Sequence, residues 1–389
     1  MLERLQHALA SLLAAAPGEV RKAADVERVF GLDHRLGWQV YRIANAKHPL
    51  AAGTHVPARV SMERLIRVAG RKGVASSVVE EVQAAFEDFE RLVEQEAGSR
   101  TAFDTLITCA VPEHLAEAEL AARESLFLAA RTVRGASMRL SLFTSIAYPS
   151  ANQSDMIDTC NLMGNFGVQR IRPGALIETS ALFRDPRGSQ VRTIDGKPIV
   201  ESTDIMLPAF CSAPAPRLSV RRGDQSARYV LEGANVGLKG AVDTVFADFL
   251  AAGRTRFGTA ARPYIGVAHA TDTPAALQII DLLVHESLVP QQVPEARVYD
   301  MVPHGQLTKL PDPDRELDRV AFEPRVRTLG RLPTGLRCLH LPRYQEMVAH
   351  VCAARGWDVE RLRGYRVEVE YPVYSWQTAV TLRLPTEHS

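Results

Sequence analysis

The sequence predicts an α+β protein: an all-helical amino-terminal domain followed by a larger domain with a mostly antiparallel sheet and flanking helices. Three observations lead there. At 389 residues the chain exceeds the length at which a single hydrophobic core keeps growing, so it divides into domains. Over the first hundred residues apolar side chains recur at three and four positions, the period of helices buried on one face. Beyond residue 138 the period falls to two, in runs separated by Gly, Pro and Asp corners of the kind that join antiparallel neighbours. Helices stand between groups of strands rather than after each strand, which favours α+β over a doubly wound sheet. The 46% apolar content is that of an ordinary globular protein.

The helical elements follow in order. Leu2, Leu5, Leu9 and Leu12 form the stripe of an amphipathic helix over residues 2–15, not the core of a secretory signal, and Pro17-Gly18 stops it. Residues 23–44 read as two helices about a tight Gly31-Leu32-Asp33 corner. Pro49, Gly53 and Pro57 mark residues 48–57 as a loop. Ser61 is placed to cap a helix through Gly70, and Gly70-Arg71-Lys72-Gly73 breaks it. Ser77-Val78-Val79-Glu80 has capping-box spacing at the head of a long acidic helix ending near Glu96. Gly98-Ser99 then divides the chain into domains at 1–98 and 99–389, with a subdivision near 303–324.

In the second domain a helix over 113–132 leads into a strand over 138–147, where Leu140, Leu142, Thr144 and Ile146 alternate. Several strands lie between 175 and 231, turned at Asp185-Pro186-Arg187-Gly188, Asp195-Gly196 and Arg222-Gly223-Asp224. Thr273-Pro274 offers a capping hydroxyl and a proline at the first helical position, so a helix is expected to about Ser287. The proline-rich, charged stretch 304–324 reads as an exposed loop. A helix over 342–354 precedes strands over 366–371 and 376–384.

Charge is segregated beneath a formal net of +1. Residues 20–74 hold eleven Lys or Arg against four Asp or Glu, and residues 75–98 hold seven acids against one Arg. A basic block of this kind suits a surface that meets a polyanion. In residues 23–44, Val26, Phe30, Leu32, Val40 and Ile43 can form a shared core, and Gly31 permits the sharp corner. This segment resembles the helix-turn-helix of DNA-binding proteins, a likeness confined to the amino-terminal 98 residues. Two positions depart from that pattern: Glu27 stands where a small residue is usual, and Gly37 where an apolar one is. The resemblance implies that the second helix enters the major groove and presents His34, Arg35, Trp38, Gln39 and Arg42. Arg pairs with guanine and Gln with adenine through two hydrogen bonds each. Arg21, Lys22, Lys47, Arg64, Arg67, Arg71 and Lys72 would then touch phosphates, which positions the protein without reading sequence.

Elsewhere chemistry is sparse. Gly233 to Gly240 has glycines and a lysine but lacks the Lys-Ser/Thr ending of a phosphate loop, and no GxGxxG, GxSxG or HExxH occurs. Asp155 and Asp158 are expected at a helix start, His285-Glu286 late in a helix, and His340 and His350 too far apart for a paired metal site. Glu368 and Glu370 share one strand face, opposite Val367, Val369 and Tyr371. Tyr371, Tyr374 and Trp376, with Tyr365, concentrate aromatic surface that could line a small-molecule pocket. The five cysteines fall in no CxxC pair and read as free thiols of a reducing cytoplasm. No metal or cofactor is assigned, and no apolar run reaches the length of a membrane span. The reading is a cytoplasmic DNA-binding transcriptional regulator, a homodimer on double-stranded DNA, whose α+β domain senses a small-molecule effector or oligomerises. An enzyme with its site in the α+β domain and a non-enzymatic assembly or adaptor protein are the alternatives.

Overall fold

A computed structural model describes residues 1–110, 112–183, 191–199, 202–222, 226–233, 235–259, 263–289, 293–306 and 313–385. The expected turn at Asp185-Pro186-Arg187-Gly188, the Gly223-Asp224 half of a second turn, and Ala234 lie outside them. The fold is α+β, with two compact units, Met1–Ala121 and Ala122–Ser389.

The first unit is helical. It comprises α1 (Leu2–Ala14), α2 (Ala23–Phe30), α3 (His34–Ala44), α4 (Pro49–Gly53), α5 (Arg59–Arg71), α6 (Ser76–Glu96) and α7 (Arg100–Ala110), and α8 (Pro112–Arg134) begins in it. Leu5, Leu9 and Leu12 of α1 are fully buried with Val26, Phe30, Val40, Ile43, Met62, Leu65, Val82 and Phe89 in one core, as an amphipathic first helix requires. Three local expectations are corrected. The loop at 48–57 contains α4, with Pro49 at its first position and His48 Nδ1 accepting from the Leu50 amide. Ser61 lies inside α5, which starts after Ala58, and Ser77 lies inside α6, which starts after Ala75 with no side-chain cap. Gly98, with φ of 69°, turns the chain between α6 and α7.

The second unit carries β1 (Ala136–Pro149), β2 (Met156–Arg170), β3 (Glu178–Phe183), β4 (Val191–Arg192), β5 (Leu218–Arg222), β6 (Ser226–Leu231), β7 (Val242–Thr255), β8 (Tyr264–Ala270), β9 (Ala275–His285), β10 (Glu295–Asp300), β11 (Val326–Leu329), α9 (Tyr344–Arg355), β12 (Leu362–Glu370) and β13 (Trp376–Arg383). A seven-stranded sheet runs β11-β12-β9-β1-β2-β7-β4, beside three-stranded sheets β10-β13-β8 and β3-β6-β5. Antiparallel pairing prevails, and β1 and β9 form a parallel pair at the centre. Alternate residues point to opposite faces of the large sheet. One face places Leu140, Leu142, Ile146, Cys160, Leu162, Ile279 and Leu283 under Tyr344, Met347, Val348 and Val351 of α9. The other places Ile280, Leu282, Val284, Val367 and Val369 against Ile265, Val267, Val380 and Leu382 of β8 and β13.

The segment 275–287, expected as a helix, is the strand β9. It is buried on both faces, so its apolar residues do not alternate, and such a segment cannot be told from a buried helix by period alone. Thr273 is itself buried and donates to the Glu178 carbonyl at 3.4 Å instead of capping a helix. His285-Glu286 accordingly ends a strand, and a short 3-10 turn at Glu286–Leu288 follows, its first turn bonded to His285 Nδ1. Asp155 and Asp158 begin no helix either. Asp158 sits in β2 at a register shift and accepts from the Ala252 amide at 2.7 Å, where Ala252 has φ of 46°. The stretch 304–324 is not simply an exposed loop: a 3-10 helix at Pro313–Asp318 buries Arg315 and Asp318, which bond each other, and Asp318 also accepts from His304. Residues 307–312 lie outside the described ones.

Candidate nucleic-acid interface

The α2–α3 corner is built by three local devices. Asp25, in the first turn of α2, reaches back to accept from the Arg21 and Lys22 amides at 3.0 and 3.1 Å. Gly31 ends α2 in the left-handed region at φ 65°, where a residue without a Cβ is unstrained, and the Leu32 amide returns to the Glu27 carbonyl. Asp33 caps α3, its Oδ1 accepting from the Leu36 amide at 3.0 Å. Those backbone donors, first from Arg21 for Asp25 and from Leu36 for Asp33, hold both carboxyls below their ordinary values.

On α3 the side chains divide cleanly. Leu36, Gly37, Val40 and Ile43 are buried, whereas His34, Arg35, Trp38 and Arg42 are exposed and Gln39 is half-buried. At 100° per residue these five outward positions span an arc of about 140°, one helix face. The core expected for this corner is present: Val26, Phe30, Leu32, Val40 and Ile43 are all buried.

The two departures from the helix-turn-helix pattern compensate each other. A Cβ added to Gly37 would lie 2.5 Å from Glu27 Cγ and 3.3 Å from the Glu27 amide nitrogen. The bulky residue on α2 therefore requires the missing side chain on α3. Glu27 then meets His34 Nδ1 at 2.8 Å, fixing one edge of the outward face.

The flanking cations are accessible but not all idle. Arg35, Lys22, Lys47, Arg67, Arg71 and Lys72 are exposed. Arg21 pairs with Glu19, and Arg64 of α5 pairs with Asp33 at 3.0 Å, tying α5 to the start of α3. Both pairs are solvent-exposed and weak, which leaves either arginine open to a competing anion. Trp38 is 38% exposed; the His55 ring meets it edge-on at 5.1 Å, and the Arg42 guanidinium lies 5.5 Å from its centroid.

Among the carboxy-terminal aromatics, Tyr371, Tyr374 and Trp376 each rest against a different neighbour. Tyr371 lies tilted against Phe127 at 5.5 Å and donates to Glu124 at 3.2 Å, Tyr374 lies under Arg134, and Trp376 stacks on Phe322 at 6.0 Å. Tyr365 is buried. Open clefts of about 350 Å³, beside Cys338 and Pro342, and about 500 Å³, between Val293 and Val326, are lined by other residues. In the larger one Arg297 and Arg319 are paired with Glu295 and Glu323.

Sequence reading missed two polar clusters in the sheets. Arg366 of β12 forks onto Asp281 of β9 at 2.8 and 2.7 Å, and both are almost wholly buried. Tyr344 of α9 donates to the same carboxylate at 2.5 Å, so Thr144, at 2.8 Å, donates to the phenol oxygen. Burial pulls the Arg366 guanidinium down, but its bonds to Asp281 outweigh that and hold it charged; burial pushes the Tyr344 phenol well up. The second cluster joins Ser141 of β1 to His269 Nε2 of β8 at 2.7 Å, with Phe143 stacked on the imidazole. Burial lowers His269 to about 4, which leaves a poor proton acceptor for a serine hydroxyl, and Ser141 is itself buried. The pair is a bond between sheets. Only its residue types could have flagged it, since 128 positions separate the partners. Among the described residues no three His, Cys, Asp or Glu side chains are grouped to hold a metal ion. Cys160, Cys211, Cys338 and Cys352 are free thiols, and no described helix is long and apolar enough to cross a membrane.

No family model matches the chain, and no curated protein matches it. Among solved structures it is similar to a "putative protease" from Parabacteroides distasonis ATCC 8503, with 8% identity over 64% of this chain and 40% of that one and a TM-score of 0.28. It is similar also to an M1 zinc metallopeptidase from Deinococcus radiodurans, with 11% identity over 64% and 42% and a TM-score of 0.25. The chain spans less than half the length of each, and likeness of this degree carries no argument about chemistry.

Proposed function

We propose that this chain is a DNA-binding regulator that reads duplex DNA with α3 and uses its α+β unit to pair two copies or to sense an effector. One observation carries the reading: the five side chains able to touch base edges, His34, Arg35, Trp38, Gln39 and Arg42, share the outward face of a helix whose other side is buried. The corner that presents them is capped at both helices, so the face is held in one orientation. Arg67, Arg71 and Lys72 on and after α5 supply exposed phosphate contacts. A single reading helix contacts few base pairs, and a two-fold dimer doubles the site. The reading places the protein in the cytoplasm with its DNA.

The test is binding of the full-length protein to a pool of randomised duplexes, followed by selection and titration over salt. Affinity is expected to fall steeply as salt rises. Arg35→Ala and Gln39→Ala should each erase preference at a single position, by about 1–3 kcal/mol. Arg71→Ala and Lys72→Ala should weaken all sequences alike and each lower the salt slope by about one. A full-length protein that shows no salt-dependent duplex binding overturns the proposal.

A further inference from the structure

We infer that Trp38 is a specificity-determining residue that recognises the C5-methyl group of thymine. The inference rests on the duplex-reading role of α3 and adds what that face distinguishes. Arg35, Trp38 and Arg42 stand at i, i+3 and i+7, so they form one row along the helix with Trp38 between two cations. Gln39 and His34 border that row. Trp38 is thus the one large apolar surface in a face that is otherwise cationic or hydrogen-bonding, and 38% of it is open to solvent.

Its surroundings argue against an apolar protein partner. The two contacts that steady the indole are a histidine edge, from His55, and a guanidinium, from Arg42. A partner that covered Trp38 with a hydrophobic side chain would also desolvate Arg35 and Arg42, at a cost unless it supplied anions beside them. Duplex DNA meets both demands at once. Its phosphates complement the arginines, and its major groove presents a single apolar group, the thymine methyl. A ring already in contact with His55 and Arg42 loses little freedom when it meets that methyl, so the contact discriminates rather than merely adheres.

The closing experiment takes a duplex recovered by selection and replaces its thymines one at a time by deoxyuridine, which lacks only the methyl. Binding of the full-length protein is measured by fluorescence anisotropy. For the wild-type chain one replacement should weaken binding about fourfold, the factor that burying a methyl-sized group gives. Trp38→Ala should bind the thymine and deoxyuridine duplexes equally while keeping its salt dependence, and Trp38→Phe should retain part of the difference. Restoring a methyl as 5-methylcytosine, in a duplex carrying cytosine at that position, should recover part of the lost affinity. Equal binding of every deoxyuridine duplex by the wild-type chain overturns the inference and leaves duplex reading intact, as does a methyl preference that survives Trp38→Ala. Absence of salt-dependent binding to any duplex overturns both.

Discussion

Arginine serves opposite ends in the two units. On α3, Arg35 and Arg42 stand in solvent, and the contact that Arg42 makes is with an aromatic face. In the large sheet, Arg366 is enclosed and forked onto Asp281, with Tyr344 and Thr144 completing the carboxylate and phenol bonds. A group that is to recognise something outside must be left unpaired by its own fold, whereas a buried charge is tolerable only when the fold supplies an opposite charge to pair it. The difference teaches that pairing, not residue type or local charge, separates a reading surface from a core bond.

The largest effect that can break this comparison lies at Asp281. Asp281→Ala strips the enclosed Arg366 of its carboxylate and should cost about 3–5 kcal/mol in urea unfolding, while Asp281→Leu with Arg366→Met should restore most of that. Arg35→Ala, by contrast, should stay within about 0.5 kcal/mol. A small loss from Asp281→Ala would mean that the buried fork holds little, and the comparison fails.

Next in size is a pH effect confined to the sheet unit. Burial raises the Asp248 carboxyl to about 7, against donation from Asn161 at 2.9 Å, and lowers His269 to about 4. Between roughly pH 4 and 7 the folded chain keeps an Asp248 proton that the unfolded chain has released, so this group makes stability fall as pH rises. His269 acts the other way: from about pH 4 to 6.5 the unfolded chain binds a proton that the folded one refuses, so stability rises with pH. The two slopes offset. Asp248→Asn should leave the rising limb alone, adding on the order of 2 kcal/mol between pH 5 and 7 that the parent chain lacks. An unchanged pH profile would show that Asp248 is not held protonated.

The smallest effect concerns the corner. Gly37→Val should destabilise the helical unit by about 1–3 kcal/mol through its clash with Glu27, measured by thermal unfolding. Adding Glu27→Ala should relieve it. If Gly37→Val is neutral alone, α2 and α3 do not approach closely enough to exclude a Cβ at position 37.

Much of this was legible in the chain. The leucine stripe of α1, the Gly31 corner and the carboxy-terminal strands follow from local period and turn chemistry. So does the solvent face of β12, with Glu368 and Glu370 outward and Val367 and Val369 buried. The outward face of α3 was legible for the same reason: its five residues are near in sequence. β9 was not, because Ala275, Leu277, Leu282 and Leu283 suit a helix as well as a strand, and burial on both sides removes alternation. Tertiary pairing with β1 and β12 outweighs the capping signal of Thr273-Pro274. The Asp281–Arg366 fork was hidden by separation, its partners 85 positions apart. Glu27 and Gly37 look like two faults when taken singly; only the 2.5 Å that a Cβ on Gly37 would leave to Glu27 Cγ makes them one fitted pair.

The parallel β1–β9 pair bears on the order in which a nascent chain can mature. β1 ends at Pro149, yet its partner β9 begins at Ala275 and is itself flanked by β12, which ends at Glu370. The helical unit ends at Ala121 and precedes β9 and β12 in the chain, so it can fold before they are made. β1 and β2 can pair with each other at once, but the edges they turn to β9 and β7 stay open until those strands have been made. During that interval they are a natural client for a chaperone.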